Sequence, residues 1–572
     1  MNQAISIMAF HQIDLEALKS SFKEIILLTW VPVWTKLLKI HSEMRQMTSD
    51  FSVRGFHIDL RIQPMPVAAL RTLADELAAF GLNTLLIEWE ATYPYDRHAT
   101  ISNEYAYTRD ELKSFVSYCA DLGVQVIPLQ QCFGHVEYIL RHERYAHLRE
   151  SNKDLCQLCP LKEKAALQVF RELLEDVAST HPAPYIHIGG DETYLLGHCQ
   201  DCKAKAQREG KSKLYVDYFS QIAHWIVRLG RRPLIWADML LRHPEAAALM
   251  PKECVFVDWN YGWASNRFGD LAEIPRNGFE LWGAAALRAS PDNHSLTSWK
   301  RHFDNIRDYI PNARRRGCPG ILLTSWSTSG TYGYEWDQPG EVTEMFPTRH
   351  VYPLSGFRML LAAYAESLQQ RASIVPEDFV KRYAVERFGL SPRESGRLWR
   401  ALTLDATPIQ PGTDLEALYE HAQKARQLLS MLHPCRNERE FAHLRLMADF
   451  REFHARFKKV EGEIQSPAFS SSRNSQAVRA LARLIEESEA LDERFMELNK
   501  GFLYDRALLE EIQYRSKKLR KLYERLSRLG RKRQPIQVPI SSSRSLESEA
   551  AKCWSRRARP ASPIVRAESG IK

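Results

Sequence analysis

The 572-residue chain has no run of the roughly 18 apolar residues that a membrane-spanning helix requires. The nearest approach, residues 25–35, is broken by Pro32 and bounded by Glu24 and Lys36. It lies too far from Met1, with the wrong flanks, for a secretory signal, so residues 1–50 read as an amphipathic helical extension and the expected location is cytoplasmic. Cysteine is sparse as well: ten in the whole chain exclude a disulfide scaffold, and a chain this long buries an adequate core without one. Nor does the body of the chain carry an excess of one charge. Of the formal +8, residues 531–572 supply ten Lys/Arg against three Asp/Glu, a net +7, which leaves +1 for everything before them. The basic charge therefore describes a Ser-, Pro- and Arg-rich tail that reads as disordered, and nucleic acid and membrane are not expected partners.

What is present is alternation. Short β-rich runs at 53–60, 84–88, 124–129, 185–188, 233–236, 255–259, 280–283 and 321–325 are separated by amphipathic stretches. Leu70, Leu73, Leu77 and Phe80 keep a spacing of three or four and share one helical face. Another helix opens on Thr108-Arg-Asp-Glu111, a capping box, and ends before Gly123. Eight such units within residues 51–365 predict an α/β fold, a (β/α)8 TIM barrel. Residues 366–530 change character and read as an α-helical domain, with Ile512, Leu519, Leu522, Leu526 and Leu529 forming an apolar stripe on a basic helix. Residues 531–572 form the tail.

Four cysteines form two C-x2-C pairs, Cys156/Cys159 and Cys199/Cys202. Two intervening residues allow both sulfurs of a pair to face one ion, so the four suit a structural zinc, the alternative being unrelated buried or surface thiols. Such an ion would brace loops and take no part in chemistry.

The segment richest in chemistry is Tyr185-Ile-His-Ile-Gly-Gly-Asp-Glu192, where an apolar run delivers two glycines and then two carboxylates. At the C-terminal end of a fourth barrel strand they reach the face where such barrels place catalysis. Two carboxylates side by side cannot both ionise freely, so one should keep its proton near neutral pH and serve as an acid. Gly-Gly-Asp-Glu also begins the diguanylate cyclase signature, but there Phe follows and a strand returns. Here Thr193-Tyr-Leu-Leu-Gly197 and a Cys-rich stretch follow.

His187-x-Gly-Gly-Asp-Glu192 resembles the signature of glycoside hydrolase family 20, the β-N-acetylhexosaminidases, and the likeness extends over about residues 52–365. Arg54-Gly55 followed by Asp59 is similar to the family's opening Arg-Gly-x-x-x-Asp, whose arginine grips ring hydroxyls. Gly134-His135 looks like the family's Gly-His, and Trp236, Trp259 and Trp326 fall where the family builds an aromatic pocket. The match is nearest to the shorter, hexosaminidase D-like branch. The resemblance implies an exo-acting retaining hydrolase that needs no cofactor for catalysis and acts on glycans ending in N-acetylhexosamine. Glu192 would be the general acid/base and Asp191 its partner on the 2-acetamido group, with His187 in support. One departure is plain: the family's tyrosine after the seventh strand is replaced by Gly283-Ala-Ala-Ala-Leu-Arg288, leaving Tyr261, Tyr332 or Tyr334 to take its part. Glu335 or Glu344 could hold outer hydroxyls. Competing readings are a metal-dependent hydrolase built on His57, Asp59 and His135, a conventional two-carboxylate glycosidase, and a sugar-binding barrel without turnover.

Overall fold

A computed structural model describes residues 50–531 apart from Ser329, Pro339, Gly340, Asp405 and Ala406. The N-terminal extension and the basic tail thus lie almost wholly outside the described residues. The eight expected runs form strands β1 (Val53–Asp59), β2 (Thr84–Glu88), β3 (Gln125–Leu129), β4 (Tyr185–His187), β5 (Arg232–Trp236), β6 (Val255–Trp259), β7 (Glu280–Arg288) and β8 (Gly320–Ser325). They pair in parallel, in sequence order, into a closed barrel. Closure is made at β1, where Gly55 sits opposite Thr84 of β2 and Leu322 of β8. The TIM barrel followed by helices is therefore the observed architecture.

Strands covered on both faces have no wet side, and their sequences are apolar almost throughout. Leu86, Ile127, Leu234, Val255, Val257, Trp282 and Leu322 fill the interior, while the outer faces pack on the helices. Trp282 fits because β8 begins with glycine: a Cβ on Gly320 would stand 2.3 Å from the indole. β7 runs nine residues, well past the expected 280–283. Its alanines have little strand preference of their own, yet β8 pairs with them and Asn305 Oδ1 accepts the Ala286 N–H from the covering helix. The helix Arg109–Asp121 starts with the capping box read from Thr108 and Glu111.

The barrel's last helix, Arg358–Gln369, spans residue 365, and the Tyr364 hydroxyl lies 3.0 Å from the Gly55 carbonyl and 3.1 Å from that of Ile321. Beyond it stand further helices, three of them long: Glu438–Gln465, Asn474–Asn499 and Asp505–Arg531. Among the described residues no helix is long and apolar enough to cross a membrane. An antiparallel hairpin, β9 (Tyr332–Gln338) with β10 (Glu341–Pro347), comes after β8. It was not expected from the sequence, although Tyr332, Tyr334 and Trp336 alternate along its first strand.

The final helix returns to the barrel. Gln63, just after β1, donates to Glu511 Oε1 at 2.9 Å and to the Val351 carbonyl at 2.7 Å, and His350 Nδ1 lies 2.9 Å from the same Glu511 oxygen. Arg288, buried at the end of β7, donates to Gln63 Oε1, Ser325 Oγ and the Tyr352 carbonyl. Glu511 is 1% exposed, so its loss strands buried donors on the barrel side. Glu511→Leu should cost about 1–3 kcal/mol of unfolding free energy, the range for buried groups left unpaired. Urea titration at neutral pH checks this, and an unchanged midpoint would show that the contact does not secure the helix.

Candidate active site

β4 has only three residues, and two glycines beyond it dictate the path of the chain. Gly189 and Gly190 adopt φ of 69° and 91°. A Cβ on Gly189 would meet Gln131 Oε1 at 1.8 Å, and one on Gly190 the Phe219 ring at 2.5 Å. The turn they make sends Asp191 and Glu192 out of the strand end at the barrel mouth. Glu192 itself has φ 46°, and two residues at the same end of the barrel share this backbone: Glu90 at 44° after β2 and His135 at 53° after β3. Left-handed backbone at three non-glycine residues costs of order 1–3 kcal/mol each and is the sort of strain that gathers at working sites.

His135 joins the carboxylates. Its Nε2 stands 3.4 Å from Asp191 Oδ2 and 3.5 Å from Glu192 Oε2. Burial alone would depress this imidazole, but the Asp191 charge and the bonds to both carboxylates outweigh it and raise its pKa well above the usual value. The Glu192 carboxyl is pushed up by desolvation and pulled down further by His135, so it ends below its ordinary range. The proton expected on the Asp191–Glu192 pair thus does not rest on Glu192. A neighbouring carboxyl, Asp238, is raised toward neutrality instead. This residue, two after the end of β5 and 1% exposed, is raised to about 7, first by desolvation and then by the Asp191 charge. Its Oδ2 accepts the Glu192 backbone N–H at 3.2 Å and its Oδ1 faces Trp259 Nε1 at 3.4 Å. Sequence reasoning did not single out Asp238, though an acidic residue two positions beyond a strand-ending Trp was there to be seen.

Arg54 is not at this site. Its guanidinium donates to the Phe51 and Gly81 carbonyls at the opposite end of the barrel. The reason is distance: it is the second residue of β1, and a strand advances about 3.3 Å per residue, so the mouth is some 17 Å away. The arginine at the mouth is Arg61, beyond the C-terminal end of β1. It forms a two-pronged pair with Asp59, at 2.9 and 3.0 Å, and lies 3.9 Å from both Glu88 and Glu90. Asp59 also accepts the Ser327 N–H and hydroxyl; burial works against its charge, but Arg61, with smaller help from Ser327, holds it well below the usual carboxylate range. With both Asp59 oxygens so engaged, His57, Asp59 and His135 do not assemble as metal ligands.

The aromatic residues divide by depth. Trp236 is 1% exposed and packs against His187, centroids 4.3 Å apart and rings tilted by 49°, so it is a floor beneath the site. His187 is fully enclosed and accepts the Gly189 N–H on Nδ1, supporting the glycine turn. Trp259 and Trp326 are half-buried at the rim. Trp326 lies under Arg61, 5.5 Å from its guanidinium carbon, and donates to the Tyr261 hydroxyl at 2.8 Å. Of the three candidate tyrosines, Tyr261 alone feels both the Asp191 and Glu192 charges; Tyr332 faces Arg61, Glu90 and Glu137, and Tyr334 faces Glu137 and Asp154. Glu335 and Glu344 are exposed cross-strand neighbours on the hairpin. Asp191 Oδ1, Glu90 Oε1, Glu137 Oε2 and Trp236 Nε1 are buried with no hydrogen-bond partner among the described residues. Burial pushes Glu137 up to about 7.

The four expected zinc cysteines are not brought together. Cys159, Cys199 and Cys202 converge, with Glu150 in the fourth place. Cys156 is excluded because its stretch is extended: Gln157 and Leu158 bridge to Gly134 and Arg149. Three residues of extended chain span about 10 Å and put the ends on opposite faces, so this C-x2-C cannot close on one ion.

Asp238 generates a pH test. A carboxyl raised from 3.8 to about 7 binds its proton more tightly when folded, so stability falls as pH climbs from about 4 to about 7. The slope it adds is up to about 1.4 kcal/mol per pH unit. Asp238→Asn lacks that slope and should gain on the parent protein steadily across the window in chemical denaturation. Parallel curves for the two proteins would refute the protonated assignment.

Comparison with known proteins agrees with this geometry. A family model described as the glycosyl hydrolase family 20 catalytic domain matches residues 51–272. Hexosaminidase D of Bos taurus is 33% identical over 294 residues, covering 48% of this chain and 84% of that protein. Hexosaminidase D of Homo sapiens is 30% identical over 355 residues, 59% of this chain and 73% of its own. A solved β-N-acetylhexosaminidase from Bacteroides fragilis aligns over 58% of this chain and 68% of its own, at 20% identity and a TM-score of 0.44. A likeness that spans most of the first two relatives, carried by a barrel with Asp191 and Glu192 at its mouth, places the chain in glycoside hydrolase family 20.

Proposed function

We propose that the chain is an exo-acting β-N-acetylhexosaminidase that retains anomeric configuration by substrate-assisted catalysis. The observation that carries the reading is the Asp191–Glu192 pair, two adjacent carboxylates of unequal depth sharing the one imidazole of His135. The side chain of Glu192 is 29% exposed and that of Asp191 10%. The outer one reaches a leaving group at the mouth, and the inner one faces the ring's 2-substituent.

The substrate's acetamido oxygen attacks the anomeric carbon and the bond to the leaving oxygen breaks, giving an oxazolinium-type intermediate. This departs from the usual scheme in which a second carboxylate is the nucleophile. Glu192 protonates the departing oxygen and afterwards takes a proton from the attacking water. Asp191 accepts the acetamido N–H and stabilises its growing positive charge; its unpaired Oδ1 is suited to that bond. Tyr261, the one of the three candidate tyrosines that feels both carboxylate charges, donates to the acetamido oxygen in place of the residue missing from 283–288.

Arming the acid requires a proton on Glu192, which His135 denies it in the free site. When a sugar enters, water leaves the half-exposed carboxylate and its proton affinity rises. A proton then passes from His135 Nε2 to Glu192 Oε2, which leaves both groups neutral for the first step. Trp259 and Trp326 offer indole faces to the sugar's C–H surface, and Arg61 with Glu90 and Glu137 engages its outer hydroxyls. The substrates are glycans or glycoconjugates that end in N-acetylhexosamine.

The test compares nitrophenyl β-glycosides bearing a 2-acetamido or a 2-hydroxyl group. The parent protein should hydrolyse the acetamido sugar alone, and Glu192→Gln should lose about 10²–10⁴-fold in kcat. Asp191→Asn and Tyr261→Phe should lose turnover on the acetamido sugar while binding of the plain glycoside is unchanged. Comparable hydrolysis of both sugars would indicate a two-carboxylate enzyme, and sugar binding without any turnover would indicate a binding protein.

A further inference from the structure

Outside the catalytic cluster, one group of side chains is arranged as no ordinary core contact would be. Cys159 Sγ lies 3.9 Å from Cys199 Sγ and 3.5 Å from Cys202 Sγ, and Cys202 Sγ lies 3.3 Å from Glu150 Oε2. One ligand atom from each of the four falls within 4.8 Å of every other. A tetrahedral zinc with bonds of about 2.3 Å to sulfur and about 2.1 Å to oxygen would have S···S edges near 3.8 Å and S···O edges near 3.6 Å. The observed S···S distances bracket the first length, and the S···O distance of 3.3 Å falls slightly inside the second. A disulfide needs its sulfurs at about 2.05 Å, and three thiols cannot pair evenly.

The backbone around the cluster draws its ligands together. Cys199 caps the helix Gln200–Glu209, and its sulfur accepts the Cys202 backbone N–H at 3.4 Å, so this C-x2-C closes as a turn where the 156/159 pair runs straight. Glu150 is 4% exposed; its Oε1 accepts the His198 and Cys199 N–H groups, both at 2.8 Å, which leaves Oε2 free to face the sulfurs. The other oxygen, Oε2, faces only a weak S–H donor, whereas a dication would engage it directly. Three thiolates and a carboxylate carry the same net charge around zinc as a four-cysteine site.

We infer that Glu150, Cys159, Cys199 and Cys202 hold one zinc ion that clamps the loop after β3 to the loop after β4. Both loops carry the chemistry. Gln157, two residues before Cys159, bridges Gly134 beside His135, and its Oε1 accepts the Leu195 N–H three residues past Glu192. The ion fixes the separation of His135 from Glu192, whose left-handed backbones would otherwise relax. This positioning consequence rests on the function proposed above; the metal itself does not.

The test begins with metal content, which is independent of turnover. The full chain, purified without chelator or stripped and then given zinc, should retain one zinc per chain by elemental mass spectrometry. Cobalt in its place should show thiolate charge-transfer and tetrahedral d–d bands. Cys159→Ser and Cys202→Ser should lose the metal, and Cys156→Ser should keep it with unchanged activity. Should the serine variants fail to fold, Glu150→Gln decides: it preserves the bonds to His198 and Cys199 yet should weaken zinc binding about tenfold or more. Three freely titrating thiols on a protein that retains no zinc would overturn the inference. So would a disulfide between two of them, equal metal loss from Cys156→Ser, or undiminished affinity in Glu150→Gln. Stripping zinc should lower kcat on the acetamido glycoside; loss of zinc without loss of activity would remove the positioning role.

Discussion

The turn at Gly189 and Gly190 is the constraint on which the rest of the site depends. β4 stops after three residues, and the two glycines must take left-handed backbone with Gln131 on one side and Phe219 on the other. No side chain fits at either position. The consequence is that Asp191 and Glu192, consecutive in the chain, are presented at different depths and both within reach of His135. A regular strand would have pointed them to opposite faces of the barrel wall.

Once two carboxylates are placed in a largely dry mouth, the surrounding charges adjust to them. Asp59, Glu88, Glu90, Glu137, Asp191, Glu192 and Asp238 stand against Arg61 and a protonated His135. Such a surplus cannot all ionise: desolvation pushes Asp238 and Glu137 up to about 7 and lifts Glu90 well above the usual carboxylate range despite Arg61 beside it. Glu192, with His135 beside it, is left ionised. In the proposed mechanism the acid for glycosidic cleavage is loaded by the ligand's arrival, because removing water from Glu192 changes the balance that His135 had set.

Several parts of the molecule that touch no substrate serve this arrangement. Asp238 fixes the Glu192 backbone and faces the Trp259 indole. His187 receives the Gly189 N–H from inside the barrel. Gln157 ties the loops after β3 and β4 together, and the proposed zinc would do so more firmly. On the far side of the mouth the last helix closes over Gln63 and Arg288, so the helical region and the barrel share one continuous core.

The sequence alone determined all eight barrel strands, since strands buried on both faces must be apolar and the helices between them must show a stripe. It also determined the paired carboxylates, because glycines before adjacent acids after an apolar run leave few structural options. Only the tertiary structure decided the rest. Arg54 and Arg61 are both plausible in the one-dimensional text; strand length puts the first at the wrong end of the barrel. Cys156 and Cys199 open identical C-x2-C motifs, yet extended backbone spreads one pair and a helix cap closes the other, while Glu150 joins from far earlier in the loop. Asp238 carries no motif at all, and its proton is a product of burial and of the Asp191 charge. Spacing along a chain records local geometry; which charges face each other, and which water is excluded between them, is set by elements that meet only when the barrel closes.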